Sequence, residues 1–246
     1  MFSFLKNHPF AVEAYFQYSI VLTFAFPKKD LEQLIPACLS LDVFDDKWAF
    51  VAVALVQTND LRPKGFPKLL GNDFILAGYR VFVKYTSNVG KRLRGLYILK
   101  SETNKKMMEI LGNVFTRYSY TTTDIKQEQH QQVFHIFSAR SNFNIRFQAG
   151  DEQTSLPPDS PFADWKQARK FAGPLPFTFT YDERSNEVLI IEGVRENWVP
   201  KPLKVIDYYI PFINSLASAK GILANAFIIN NIPYYWKKGR IEQWNH

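Results

Sequence analysis

The chain has 246 residues, one cysteine and a net charge of +7. That length can enclose a core without a disulfide or a structural metal, and the single Cys38 excludes an intramolecular disulfide framework. No run approaches the ~18 apolar residues of a membrane span, so the expectation is a cytoplasmic protein with no membrane partner.

Aromatic residues make up 16% of the sequence, which favours strands. The first strand is expected over 12–26. Pro27-Lys28-Lys29 follows it, with no small-residue cleavage site, so the N-terminal apolar stretch reads as a strand rather than a secretory leader. A short helix is predicted over 28–38, limited by Pro36. Trp48 to Val56 is a continuous apolar run, the pattern of a strand buried on both faces. The two prolines and the glycine of Leu61-Arg62-Pro63-Lys64-Gly65-Phe66-Pro67 predict a loop. Strands over 74–85 and 93–102 form a hairpin around Ser87-Asn88-Val89-Gly90. Asn104 is positioned to cap a helix over 105–111, ended by Gly112. Strands follow over 118–126, 132–139 and 143–147, then a polar loop and a helix over 160–171. A hairpin over 177–181 and 187–194, and strands over 203–210 and 223–229, complete the chain. Neither a repeat nor a convincing linker interrupts it, so residues 1–246 read as one domain of the α+β class, mainly antiparallel β.

The charge is concentrated. Between Leu61 and Lys106 eleven basic residues face only Asp73 and Glu102. A field of that sign attracts anions. On the hairpin, alternation groups Arg80, Phe82 and Lys84 on one strand face, and Arg94, Leu96, Ile98, Lys100 and Glu102 on another. Arg80 and Arg94 are therefore the candidate ligand-binding residues. A guanidinium flanked by apolar strand residues offers a bidentate fork to a carboxylate or phosphate. Lys105 and Lys106 come next. A lysine beside another cation has its ammonium form disfavoured, which frees the amine to attack a carbonyl. The candidate catalytic set is Lys105 and Lys106, with Glu102 assisting proton transfer. The mixed aromatic and basic stretch 234–240 and Glu192 at the end of an apolar run are weaker signals. There is no glycine-rich phosphate loop and no paired-cysteine spacing. His130 and His135, five apart, would point to opposite faces of a strand. Neither a metal nor another cofactor is expected.

Four segments occur in a telling order: Leu39-Ser40-Leu41-Asp42-Val43-Phe44-Asp45-Asp46-Lys47-Trp48-Ala49-Phe50-Val51, the loop 61–67, Tyr79-Arg80-Val81-Phe82-Val83 and Arg94-Gly95-Leu96-Tyr97-Ile98. With Asn197-Trp198-Val199-Pro200-Lys201-Pro202 they make the chain resemble the YqjF-like bacterial family, a domain of unknown function. That resemblance implies an acetoacetate-decarboxylase-like fold: antiparallel strands wrapped as a sandwich or barrel around an internal cavity, with a few short helices. The enzyme that names the fold carries a Lys-Lys pair near a strand end, one lysine forming a Schiff base. Lys105-Lys106 occupies a comparable place, although Glu102-Thr103-Asn104 stands where that enzyme has a glycine-proline lead-in. The leading expectation is a domain that binds a small anionic organic molecule. The alternatives are a Schiff-base lyase acting on a keto acid, and a non-catalytic module whose basic face meets nucleic acid or an acidic partner, with nucleic acid ranked last.

Overall fold

The computed structural model describes residues 3–151, 153–196 and 198–244. Asn197, part of the sequence resemblance, lies outside them. The strands are β1 (Val12–Pro27), β2 (Ser40–Leu41), β3 (Trp48–Pro63), β4 (Asn72–Thr86), β5 (Arg92–Thr103), β6 (Tyr120–Thr122), β7 (Lys126–His130), β8 (Val133–Ser138), β9 (Phe143–Ala149), β10 (Phe177–Asp182), β11 (Glu187–Arg195), β12 (Lys201–Tyr209), β13 (Ile222–Trp236) and β14 (Arg240–Gln243). The helices are short: α1 (Lys28–Leu31), α2 (Lys106–Phe115), α3 (Trp165–Ala172) and α4 (Pro211–Asn214).

Antiparallel pairing links β13, β1, β3, β4 and β5 in that order. β10 joins β5 in parallel and pairs with β11. β11 then pairs with β13, residues 193–195 against 234–236, so the strand order returns on itself. A second group, β12, β9, β8 and β7, continues from β13. Its apolar residues Ile136, Ile145, Phe147 and Leu203 share one core with Leu22 and Phe24 of β1 and with Val51, Val53 and Leu55 of β3. The alternate residues of β1, β3 and β4 point the other way, into the space that the closed strand order surrounds. This is why 49–56 carries no polar residue: both faces are covered.

Several predicted elements changed length. The helix expected over 28–38 is α1 followed by a 3₁₀ turn at Glu32–Leu34. It stops at Ile35, held extended (φ −116°, ψ 146°) by the following Pro36. β3 runs on through the expected loop to Pro63, which ends the strand opposite Val12. α2 continues past Gly112 to Phe115 because Tyr120 packs against that glycine. Asn104 does not cap α2. Its Oδ1 accepts from the Ile75 amide at 2.8 Å and ties β4 to the end of β5. Asp164 does cap α3, accepting from the Gln167 amide at 2.7 Å.

One irregularity positions the site. Tyr79 pairs with Lys100 but Arg80 pairs with Ile98, leaving Leu99 as the extra residue of a β-bulge. Alternation on β5 inverts there. Leu96 and Ile98 face the enclosed space, while Lys100 and Glu102 turn to the opposite side, against Tyr79. The grouping of 94, 96, 98, 100 and 102 on one face therefore does not hold, because period-two counting cannot see an inserted residue.

Gly95 allows the parallel approach of β10. A Cβ there would lie 2.5 Å from the Phe177 carbonyl oxygen and 2.5 Å from the Phe179 ring. Gly95→Ala is expected to cost about 1–3 kcal/mol by overpacking, read as a lower denaturant midpoint with an unchanged m-value.

Candidate functional site

The strands β1, β3, β4, β5, β10, β11 and β13 and helix α2 enclose a cavity of about 540 Å³. One wall is Ala52, Ala54, Val56 and Thr58, consecutive inward residues of β3. Small side chains at 52 and 54 keep the space open. Phe50, Phe82, Phe162 and Phe171 pack together beyond Ala52 and close that end. At the other end Phe66, Leu70 and Leu111 line the cavity and are 53%, 55% and 36% exposed. That end is the mouth. Arg62 holds its loop: Nε donates to the Phe66 carbonyl at 2.9 Å, Nη1 to the Asp60 carbonyl at 2.9 Å, and Nη2 pairs with Glu13 at 2.8 Å.

Arg80 of β4 brings a positive charge to the inner wall. Its backbone pairs with Ala52, and its guanidinium lies back over Gly78; a Cβ at 78 would sit 3.0 Å from Nη2 and 3.2 Å from Cζ. Gly78 thus leaves room for the guanidinium to lie along the wall. Among the described residues Arg80 has neither an ion pair nor a hydrogen bond, and its Nε is buried without a partner. Arg80 as a whole is half-buried; Nε is its buried atom, and leaving it unpaired costs free energy.

Its neighbours are tyrosines. Burial pushes the Tyr120 hydroxyl up to about 12 and raises those of Tyr118 and Tyr234, while the Arg80 charge partly opposes the rise in all three. These hydroxyls stay protonated at neutral pH and remain donors. Arg195, also on the cavity wall, holds down the rise at the Tyr234 hydroxyl by its charge, donates from Nη2 to the Pro174 carbonyl at 2.7 Å, and stacks over the Trp198 ring at 4.5 Å. It too lacks a carboxylate partner among the described residues. The Trp198 Nε1 and the His8 Nδ1 are buried without partners, and both residues line the cavity.

The residues singled out from sequence are dispersed. Arg80 lines the cavity. Arg94 shares its sheet face but lies outside: Nε donates to Asp42 at 2.6 Å and Nη2 to the Phe171 carbonyl at 2.9 Å, and Lys84 shares the same Asp42 at 2.7 Å. Glu102, 3% exposed, accepts from Ser141 at 2.6 Å and Tyr79 at 3.3 Å and pairs with Lys100 at 2.9 Å, on the far side of the sheet. Lys105 is exposed at the start of α2. Lys106 follows it into solvent, paired with Glu109 at 2.5 Å. Among the described residues no lysine lines the cavity. Glu192 pairs with Lys237 at 2.9 Å.

Sequence reasoning missed Arg195, His8, Tyr118 and Tyr120, and read Tyr234 only as part of the weak aromatic and basic stretch 234–240. The two-residue spacing of Tyr118 and Tyr120 gave no usable signal, because Ser119 between them adopts φ 51° and β6 begins only at Tyr120, so strand alternation does not apply. Nothing in the sequence marks His8, which adopts φ 52° in the N-terminal segment.

Burial lowers the His8 pKa from 6.5 to about 4, partly offset by backbone hydrogen bonding at His8 itself and then at Lys237. The unfolded chain binds this proton more readily, so His8 favours folding fully above its unfolded value and loses that contribution as pH falls toward the folded one. The loss is on the order of 3 kcal/mol. Between pH 7 and about pH 4.5 the wild type should lose more unfolding free energy than His8→Asn, a variant that tolerates the same positive φ; urea titrations at both pH values measure the gap.

The arrangement can be set beside known proteins. No curated protein matches the chain in sequence. An acetoacetate decarboxylase-like enzyme from Sphingomonas wittichii superposes with a TM-score of 0.59 at 12% identity, over 98% of this chain and 96% of that one. An acetoacetate decarboxylase from Legionella pneumophila gives 0.60 at 10% identity, over 95% and 88%. The enduracididine biosynthesis enzyme MppR complexed with pyruvate gives 0.56 at 10% identity, over 95% and 90%. At these identities the likeness is one of fold: mainly antiparallel β with a few short helices, as in acetoacetate decarboxylase. Residues 14–208 match the model of DUF2071, a family of uncharacterised conserved proteins, and the chain belongs to that family.

Proposed function

We propose that this protein binds a small organic anion inside the cavity, with the Arg80 guanidinium as its ion-pairing group. The observation that carries this reading is the unpartnered charge of Arg80 in a largely apolar cavity. A carboxylate there would accept from the guanidinium in a charge-assisted hydrogen bond. The protonated tyrosine hydroxyls nearby can donate to the same anion. Arg195 adds positive potential from the adjacent wall. MppR, of the same fold, is complexed with pyruvate, itself a small carboxylate.

Lys105 and Lys106 give no support to amine chemistry in the cavity, because both stand in solvent at the start of α2. The basic block gives little support to a nucleic-acid surface. Arg62, Lys84, Arg94, Lys100 and Lys106 are each paired with a carboxylate.

Trp198 and Trp236 line the cavity and report on its contents. Titration with short carboxylates, followed by tryptophan fluorescence and calorimetry, should show saturable binding. Arg80→Gln should weaken it about 10- to 100-fold, the usual worth of a hydrogen bond to a charged group. Arg94→Gln should leave affinity unchanged and lower stability instead. Equal affinity in Arg80→Gln and wild type would overturn the reading.

A further inference from the structure

The cavity is longer than a small acid requires. The guanidinium lies over Gly78, which pairs with Ala54. From Ala54 the wall continues through Val56 and Thr58 to Leu61 at the mouth. At ~3.4 Å per residue, less the irregularity near Asn59, this is roughly 20 Å of strand. The facing side chains are apolar along the way: Phe16, Phe74, Leu76 and Met108. The charge thus sits towards the closed end, and the lining from there outward is mostly hydrocarbon and aromatic, with Thr58, Asn72 and the carboxylate-paired Arg62 as polar members.

The mouth continues the same chemistry onto the surface. Phe66 and Leu70 form one lip, and Leu111 of α2 forms the other. Beside Leu111, Met107, Ile110 and Val114 are also exposed. These four follow helical spacing, so α2 presents an apolar stripe to solvent next to the opening. Contiguous exposed apolar surface rimmed by polar residues marks binding sites more often than chance.

We infer that the ligand is an amphiphile: an anionic head at Arg80 and an unbranched or lightly branched hydrocarbon tail running along β3 to the Phe66–Leu70–Leu111 mouth. This rests on the anion-binding reading above and adds the chemical class of the guest. The head satisfies the guanidinium. The tail displaces water from a wall that offers it few hydrogen bonds.

A homologous series of straight-chain carboxylates from butyrate through octanoate to laurate, below their micellar concentrations, tests the inference by calorimetry. Affinity should rise about three- to fourfold per added methylene, the transfer gain of a buried CH₂, until the tail reaches the mouth. Arg80→Gln should weaken every member by a similar factor. Leu70→Asp, at an exposed position that leaves the fold intact, should weaken laurate at least tenfold and leave butyrate unchanged. A flat dependence on chain length, with butyrate still bound through Arg80, would overturn the tail and leave the anion site standing. Failure of every carboxylate to bind, or binding indifferent to Arg80→Gln, would remove both.

Discussion

Strands buried on both faces leave nowhere for an inward side chain to go except into a packed layer or a hollow. β1, β3 and β4 are in this position. Leu22, Phe24, Val51, Val53, Leu55, Val81 and Val83 fill the layer shared with β8, β9 and β12. Their sequence neighbours Val21, Ala52, Ala54, Arg80 and Phe82 line the space on the other side. The hollow exists because the residues that would fill it are small on β3 and because the strand order closes through β11 and β13. Solid core and cavity are two sides of one alternation.

Within that frame the structure separates charges that look equivalent along the chain. Lys84 and Arg94 converge on the buried carboxylate of Asp42, and Lys100 meets Glu102 beside Tyr79 and Ser141. The carboxylates of Asp42 and Glu102 are almost fully buried, and removing their cations would leave them uncompensated, so these groups act in stability. Arg80 has no such counter-charge among the described residues. Folding alone therefore leaves a desolvation cost at Arg80 that an anionic guest would offset.

The comparisons locate this geometry in an acetoacetate-decarboxylase-like fold without assigning its chemistry. A shared fold hosts different reactions, and the groups in the cavity decide among them. Here those groups are guanidinium, phenol, indole and imidazole rather than amine. The lysine pair that follows β5 in sequence lies outside, because α2 begins at Lys106 and turns its first residues to solvent. Glu102 is separated from the cavity by the bulge at Leu99.

Period and composition by themselves determined much of this protein. The apolar run of β3 announced a strand covered on both faces, and the aromatic content announced a mainly β fold. Alternation placed Arg80 on one face with Phe82, and the ordered segments from Leu39 to Ile98 pointed to the family. These are local properties, set by backbone geometry and side-chain character within a few residues. Tertiary structure alone decided the rest. Asp42 reaches Arg94 and Lys84 across more than forty residues of chain, one inserted residue in β5 reversed the faces of Lys100 and Glu102, and Arg195, Tyr234 and His8 arrive at Arg80's cavity from distant strands and the N-terminal segment. Whether a charge is neutralised or left open to a guest depends on which distant carboxylate lies within a few ångströms, and no pattern along one strand encodes that distance.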